Sequence, residues 1–230
     1  MAPAPGSPKF TDIDIRIIRT ENIRDDERAL VHELFETSYR KANHPYLDKA
    51  LASLSFLALA TRDGTPVGFA LGDAVRTAVP RMPEPQVVVL AGLSCINGDY
   101  RRQGLFSRLA GLAMTQNGLW NLGARALVCG RTAHPASFRT MKQFPTFIPR
   151  YGVALSEWQR EVGLCVAELY HVKIDPETFV VIGSGTPIGY PRLEIDVTPE
   201  EWRLFEAVDR DRGDSLLGMA WAPEAPEGWH

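Results

Sequence analysis

Gln86-Val-Val-Val-Leu-Ala-Gly-Leu-Ser-Cys-Ile96 runs, after a short loop, into Asp99-Tyr-Arg-Arg-Gln-Gly-Leu-Phe-Ser-Arg108. The first segment is apolar on both faces and rich in valine, which reads as a central strand covered on both sides. The second opens a helix expected to run to about Asn117. A helix start carries four unpaired backbone N–H groups and the positive end of the helix dipole, so it is an anion site by construction. Gly104 lets a phosphate approach the backbone closely. Arg101 and Arg102 add charge matched to a pyrophosphate. These residues predict a phosphorylated cofactor held between strand and helix. They lack the Gly-Lys-Ser/Thr of a nucleotide-hydrolysing loop and the triple glycine of a dinucleotide site.

Upstream, the alternation in Asp12-Ile-Asp-Ile-Arg-Ile-Ile18 predicts an opening half-buried strand. Leu30, Val31, Leu34, Phe35 and Tyr39 recur at helical spacing, so a helix is expected over Arg24–Asn43, ended by Pro45. A shorter helix follows over Leu47–Leu54. Phe56–Thr61 and Pro66–Thr77 read as strands joined at Asp63-Gly64, a hairpin turn pair. Downstream, Ala124–Cys129 reads as a buried strand and His134–Phe144 as a helix. Ser156 and Gln159 form a capping pair for a helix reaching Tyr170. Thr178–Ile182, Arg192–Val197 and Ser215–Trp221 read as strands, and Thr198-Pro-Glu-Glu201 opens a helix closed by Gly213. The expected organisation is a Pro/Gly/Ala tail over 1–11, disordered by composition, a cofactor-binding domain over 12–155, and an extension over 156–230 packed on the same core.

A net charge of -3 supplies no basic footprint, so nucleic acid is not the expected partner. No apolar run of membrane-spanning length is present in the sequence, and no membrane partner is expected. Cys95, Cys129 and Cys165 are widely spaced inside apolar runs and lack metal-ligand spacing. They are expected to be reduced thiols in a cytoplasmic protein that needs no metal.

Arg101-Arg-Gln-Gly104-Leu-Phe106 resembles the Arg/Gln-x-x-Gly-x-Gly/Ala motif of the GNAT N-acetyltransferase family. Ile96-Asn-Gly-Asp-Tyr-Arg101 is similar to that family's lead-in, and His134-Pro-Ala-Ser-Phe138 falls where its Asn-Pro-x-x-Tyr stretch lies. The resemblance covers about three fifths of the chain. It implies an α/β fold with a central, mostly antiparallel sheet that opens in a V between its fourth and fifth strands. It further implies acetyl-CoA, or another acyl-CoA, as donor, held by Ser94, Cys95, Ile96, Arg101, Arg102, Gln103, Gly104, Leu105, Phe106, Ser107, His134 and Phe138. The implied reaction is direct transfer, with a strand N–H stabilising the oxyanion. The sequence departs from the pattern in two places. Phe106 replaces a small residue beside the phosphates, and Phe138 and Met141 stand where the family often has an acidic tyrosine.

An ammonium acceptor must lose a proton before it attacks, so a base or a water relay is needed. Asp73 is the first candidate, because it shares a strand face with Val67, Phe69, Leu71 and Val75. Its plain alternative is a local contact at a bulge. Glu84, in the Pro-rich loop before the fourth strand, is either a second candidate base or a solvated charge. Tyr151 is either an acid or part of a turn. His44 reads as a helix-end residue near the acceptor. The acceptor is expected to be a small-molecule amine, with the extension shaping its pocket, covering it, or forming a homodimer interface. The rival readings are a non-catalytic acyl-CoA-binding or partner-binding domain, and a transferase using a longer acyl donor.

Overall fold

The computed structural model describes residues 10, 12–192 and 195–229. The tail expected over 1–11 lies outside them, Phe10 apart, as do Leu193 and Glu194. In chain order the elements are β1 Asp14–Arg19, α1 Asp25–Ser38, β2 Tyr39–Arg40, α2 His44–Ser53, β3 Phe56–Arg62, β4 Thr65–Thr77 and β5 Gln86–Ile96. There follow α3 Leu105–Thr115, β6 Ala126–Thr132, α4 Pro135–Phe138, α5 Glu157–Leu169, β7 Val180–Val181, β8 Tyr190–Pro191, α6 Pro199–Arg203 and β9 Ser215–Ala222.

Seven strands form one mixed sheet in the order β1-β3-β4-β5-β6-β9-β7. Every pairing in it is antiparallel except β5 with β6. α3 covers one face, where Leu105, Leu109 and Ala113 pack on Ala58, Ala60 and Ala70. α1, α2 and α5 cover the other, burying Leu34, Phe35, Leu47, Val162 and Val166 against Leu90 and Leu127. Tightly packed apolar surface of this kind is the main stabilising contribution to the sheet.

β9 lies between β6 and β7, so residues beyond 155 supply an interior strand of the same sheet. Its Trp221 is fully buried, as is Trp229 beyond it.

The parallel pair is short. Val88–Ala91 match Leu127–Gly130, and no β5 residue beyond Ala91 pairs with β6. The cause lies in the register with β4. Between Ala70 and Gly72 β4 advances two residues, while β5 advances three, from Ser94 to Ala91. The extra residue is a β-bulge, which bends the strand and frees its edge. Gly92 sits in it under severe crowding: a Cβ there would lie 2.4 Å from Leu54 Cδ1 and 2.7 Å from Leu71 Cβ. The sheet therefore opens in a V beyond Ala91, as the resemblance implies.

Several local expectations change. α1 stops at Ser38, and Pro45 opens α2 rather than ending α1, because Asn43 caps α2 by accepting the Tyr46 N–H (3.1 Å). The helix expected over His134–Phe144 is one turn followed by a 3₁₀ turn at Met141–Gln143. There the Thr140 hydroxyl takes the Ser137 carbonyl and diverts the ladder. α6 likewise ends at Arg203. The Asp209 and Asp214 carboxylates then take loop N–H groups that a longer helix would have used. Val180–Val181 is all that forms of the Thr178–Ile182 strand. No strand forms at Arg192 or Ile195–Val197, and the short ribbon pairs Tyr190–Pro191 with β2 instead.

Candidate active site

The open end of the V meets the start of α3. Arg102 (φ 60°) and Gly104 (φ 90°) both take left-handed conformations, with Gly104 the N-cap of α3. Left-handed backbone is costly for residues with a Cβ, so Gly104 answers a conformational demand as well as a spatial one. A Cβ there would meet nothing within 4 Å, so the space beside it is open. None of the backbone N–H groups from Arg102 through Ser107 has an acceptor among the described residues. A run of unsatisfied N–H groups at a left-handed turn and helix start is a cradle for an anion. Leu105 is buried and anchors the cradle, while Gln103 binds the Asp99 carbonyl at 2.7 Å.

Not every residue expected there serves the anion. The Arg101 side chain is committed to backbone: Nε donates to the Ile96 carbonyl (2.9 Å) and a terminal nitrogen to the Arg192 carbonyl (3.0 Å). It staples the end of β5 to the segment beyond β8. Arg102 is exposed beside the cradle. Phe106, in the first turn of α3, is 37% exposed.

Along the freed β5 edge, Ser94 and Ile96 face α3, while buried Cys95 belongs to the core on the α1 side. Burial pushes the Cys95 and Cys129 thiols well up, which suits small hydrophobes rather than nucleophiles. At the apex the Tyr170 hydroxyl lies 2.8 Å from the Ala91 carbonyl of β5 and 3.1 Å from the Cys129 carbonyl of β6. Burial raises its pKa, so it stays a phenol and its one proton serves these two acceptors. Tyr170 thereby ties the two strands together where they begin to part.

The candidate acids and bases fall elsewhere. Asp73 is buried, and its carboxylate is saturated. Oδ2 accepts the Ser55 N–H (3.1 Å) and hydroxyl (2.5 Å), and Oδ1 accepts the Ala74 N–H (2.8 Å) and the Asn117 amide (3.3 Å). Four donors fill its lone-pair positions, which makes it a structural clasp between β3, β4 and the end of α3. Glu84 lies beyond the opposite end of β5, about 35 Å along the strand from Ile96. Tyr151 is an exposed turn residue whose ring lies 5.7 Å from the Arg203 guanidinium. Phe138 is buried against Phe147 and Phe205.

His134 does lie at the mouth, just past β6. Its Nδ1 accepts the Ala136 N–H at 3.2 Å, so Nε2 carries the proton of the neutral ring. Burial first, then the charges of Arg210 and Arg139, lower its pKa. His44 pairs with His32 through Nδ1 atoms 2.9 Å apart and with Glu36 through Nε2 at 2.7 Å.

Sequence reasoning missed the groups that long-range folding brings to this mouth. Tyr170 had a legible signal, since it continues the buried stripe Trp158, Val162, Val166 at four-residue steps, and a buried phenol needs a partner. Arg210, Trp202, Tyr190 and Arg131 had none, because they come from four separate segments. A surface cleft lined by Arg81, Met82, Arg125, Trp158 and Pro226 lies at the other end of the sheet. Its Arg81 is already paired with Glu157 and Glu161. Among the described residues no helix is long and apolar enough to cross a membrane.

No protein-family model and no curated protein matches the chain. Among solved structures it is similar to the ribosomal-protein-S18-alanine N-acetyltransferase from Escherichia coli, at 12% identity and a TM-score of 0.41, covering 94% of this chain and 98% of that one. It is similar also to a diaminobutyrate acetyltransferase from Paenibacillus lautus in complex with L-2,4-diaminobutyric acid and coenzyme A (18% identity, TM-score 0.39, covering 94% and 98%). A third is the IAA acetyltransferase from Bacillus cereus (9% identity, TM-score 0.40, covering 91% and 99%). The mixed α/β architecture itself rests on the strand order and register given above.

Proposed function

We propose that this chain is an acyl-CoA-dependent N-acetyltransferase acting on a small-molecule amine by direct transfer. The observation that carries the reading is the row of acceptor-free N–H groups at Arg102–Ser107, set beside a strand edge that a bulge has freed. The first suits a pyrophosphate and the second an extended amide-bearing arm. Gly104 and Arg102–Ser107 would hold the phosphates, the β5 edge from Gly92 to Ile96 the arm, and His134 Nε2–H an acceptor atom of it.

An acyl thioester supplies an activated carbonyl carbon. The amine nitrogen bonds to that carbon, the carbon–sulfur bond breaks, and its electron pair leaves on sulfur. The acceptor ammonium must shed one proton before attack. With Asp73 saturated and Glu84 remote, water at the mouth of the V takes it. The amine's second proton goes to the departing thiolate. Backbone N–H groups of the freed β5 edge face the developing oxyanion, a fixed dipole that needs no reorganisation. Tyr170 holds the apex to a constant width.

The test is thiol release from acetyl-CoA in the presence of amine pools, with the acetylated product identified by mass spectrometry. Amine-dependent release with a product 42 Da heavier, roughly one acetyl for one hydrogen, is expected. Tight CoA binding with no release for any amine would favour a binding domain.

A further inference from the structure

On the α1 side of the mouth stands a cation whose role the transfer chemistry leaves open. Arg210 is half-buried, with its guanidinium carbon 5.4 Å from the Tyr190 ring centre and 5.6 Å from that of Trp202. Its guanidinium makes no salt bridge or hydrogen bond among the described residues. Of the acids around this segment, Asp211 accepts the Tyr190 hydroxyl, Glu201 pairs with Arg139 at 2.7 Å, and Asp209 takes the N–H groups of Asp211 and Arg212. Its charged neighbour is another cation, Arg40, and burial followed by that like charge lowers the Arg210 pKa.

The position matters as much as the charge. Trp202 packs edge-on against His134 (5.4 Å), which follows β6. Tyr190 pairs in the short ribbon with Arg40, next to Tyr39, and Arg192 just beyond it is tied to Arg101 at the end of β5. Arg210 thus spans the two arms of the V. Arg131, one residue beyond the last β6 position paired with β5, adds a second guanidinium without an acid partner among the described residues, 4.9 Å from the Tyr170 ring. A half-desolvated guanidinium held by aromatic rings and facing like charge is costly unless an anion completes it. Guanidinium is also the side chain whose donor geometry matches a carboxylate in two parallel bonds.

We propose that Arg210 receives a carboxylate of the acceptor, so that the acceptor is an amine of the amino-acid class. The assignment rests on the transferase reading above and names the substrate class of that same site.

The experiment measures kcat/KM with saturating acetyl-CoA for pairs of L-amino acids and their carboxamides, alongside calorimetric CoA affinity. The amide of each pair keeps the amine and loses the carboxylate. For at least one pair the acid is expected to be favoured by roughly 10–100-fold, the scale of a charged hydrogen-bonded contact. Arg210→Gln should collapse that preference while leaving CoA affinity unchanged, and Arg210→Lys should restore part of it. CoA binding and amine turnover without acid-over-amide preference in any pair overturns the proposal. So does a preference that survives Arg210→Gln. An equal loss of CoA affinity in Arg210→Gln would assign the cation to the cofactor's phosphates instead. Failure of the wild-type chain to bind CoA, or to turn over any amine, would remove the transferase reading itself, a result distinct from all of these.

Discussion

The run of acceptor-free N–H groups at Arg102–Ser107 and the cationic cluster around Arg210 are built in opposite ways. The cradle is six consecutive residues, and its chemistry is main-chain N–H. Its specification is local: a buried strand, a left-handed glycine and a helix long enough to have a dipole. The cluster draws Arg40, Arg131, His134, Tyr190, Trp202 and Arg210 from along the whole second half of the chain and from the α1–α2 turn. Its chemistry is side-chain charge, and it exists only once β8, α6 and the loop before β9 have docked. Backbone sites are thus written contiguously, while side-chain sites are written by topology.

That contrast can be broken most forcefully at Gly104. Gly104→Asp forces a non-glycine residue into φ 90° and sets a carboxylate where the phosphates would lie. A folded variant should lose CoA affinity by more than about 100-fold, about 3 kcal/mol, as read by calorimetry. Since the space beside Gly104 is open, the loss is one of strain and charge rather than of contact. Unchanged affinity would remove the cradle from the site.

Tyr170→Phe probes the apex between the two regions. Removing the hydroxyl strands the Ala91 and Cys129 carbonyls, a loss of about 1–3 kcal/mol for an unsatisfied buried group. Denaturant unfolding should show it. In the folded fraction kcat should fall while CoA affinity holds, because the cradle lies at the other end of the arm. Equal stability in both proteins would mean that the strands need no tie.

Asp73→Asn should have the smallest effect on turnover. The variant loses stability, because the new amide faces donors from Ser55 or Asn117, by about 1–3 kcal/mol. Its kcat should stay within a few-fold of wild type, against the roughly 10²–10⁴-fold expected for a lost general base. A kinetic collapse with normal stability would restore the base role.

These cases mark how far the sequence was legible. The bounds of β5 could be read outright, because valine-rich burial on both faces is a local property. The α5 capping box was equally plain, with Ser156 and Gln159 bonding reciprocally as their spacing requires. Asp73 was correctly conspicuous, a carboxylate on an apolar strand face. Its meaning was hidden because its donors come from Ser55 and Asn117, 18 and 44 residues away. A bulge near Asp73 was one of its readings, but register is a property of two strands, and only their pairing shows that the extra residue belongs to β5 rather than β4. Pro45 misled for a related reason: a proline that ends one helix and one that begins the next look alike until the Asn43 cap is seen.

Hydrogen exchange at the amides of Arg102 through Ser107, with and without saturating CoA, is the most direct test of the central claim. In the free protein these N–H groups have no acceptor among the described residues and should exchange rapidly. With CoA bound, the same amides should become protected, ahead of any change at the distant Arg81–Trp158 cleft. Bound CoA that leaves 102–107 exchanging at the free rate would contradict the account.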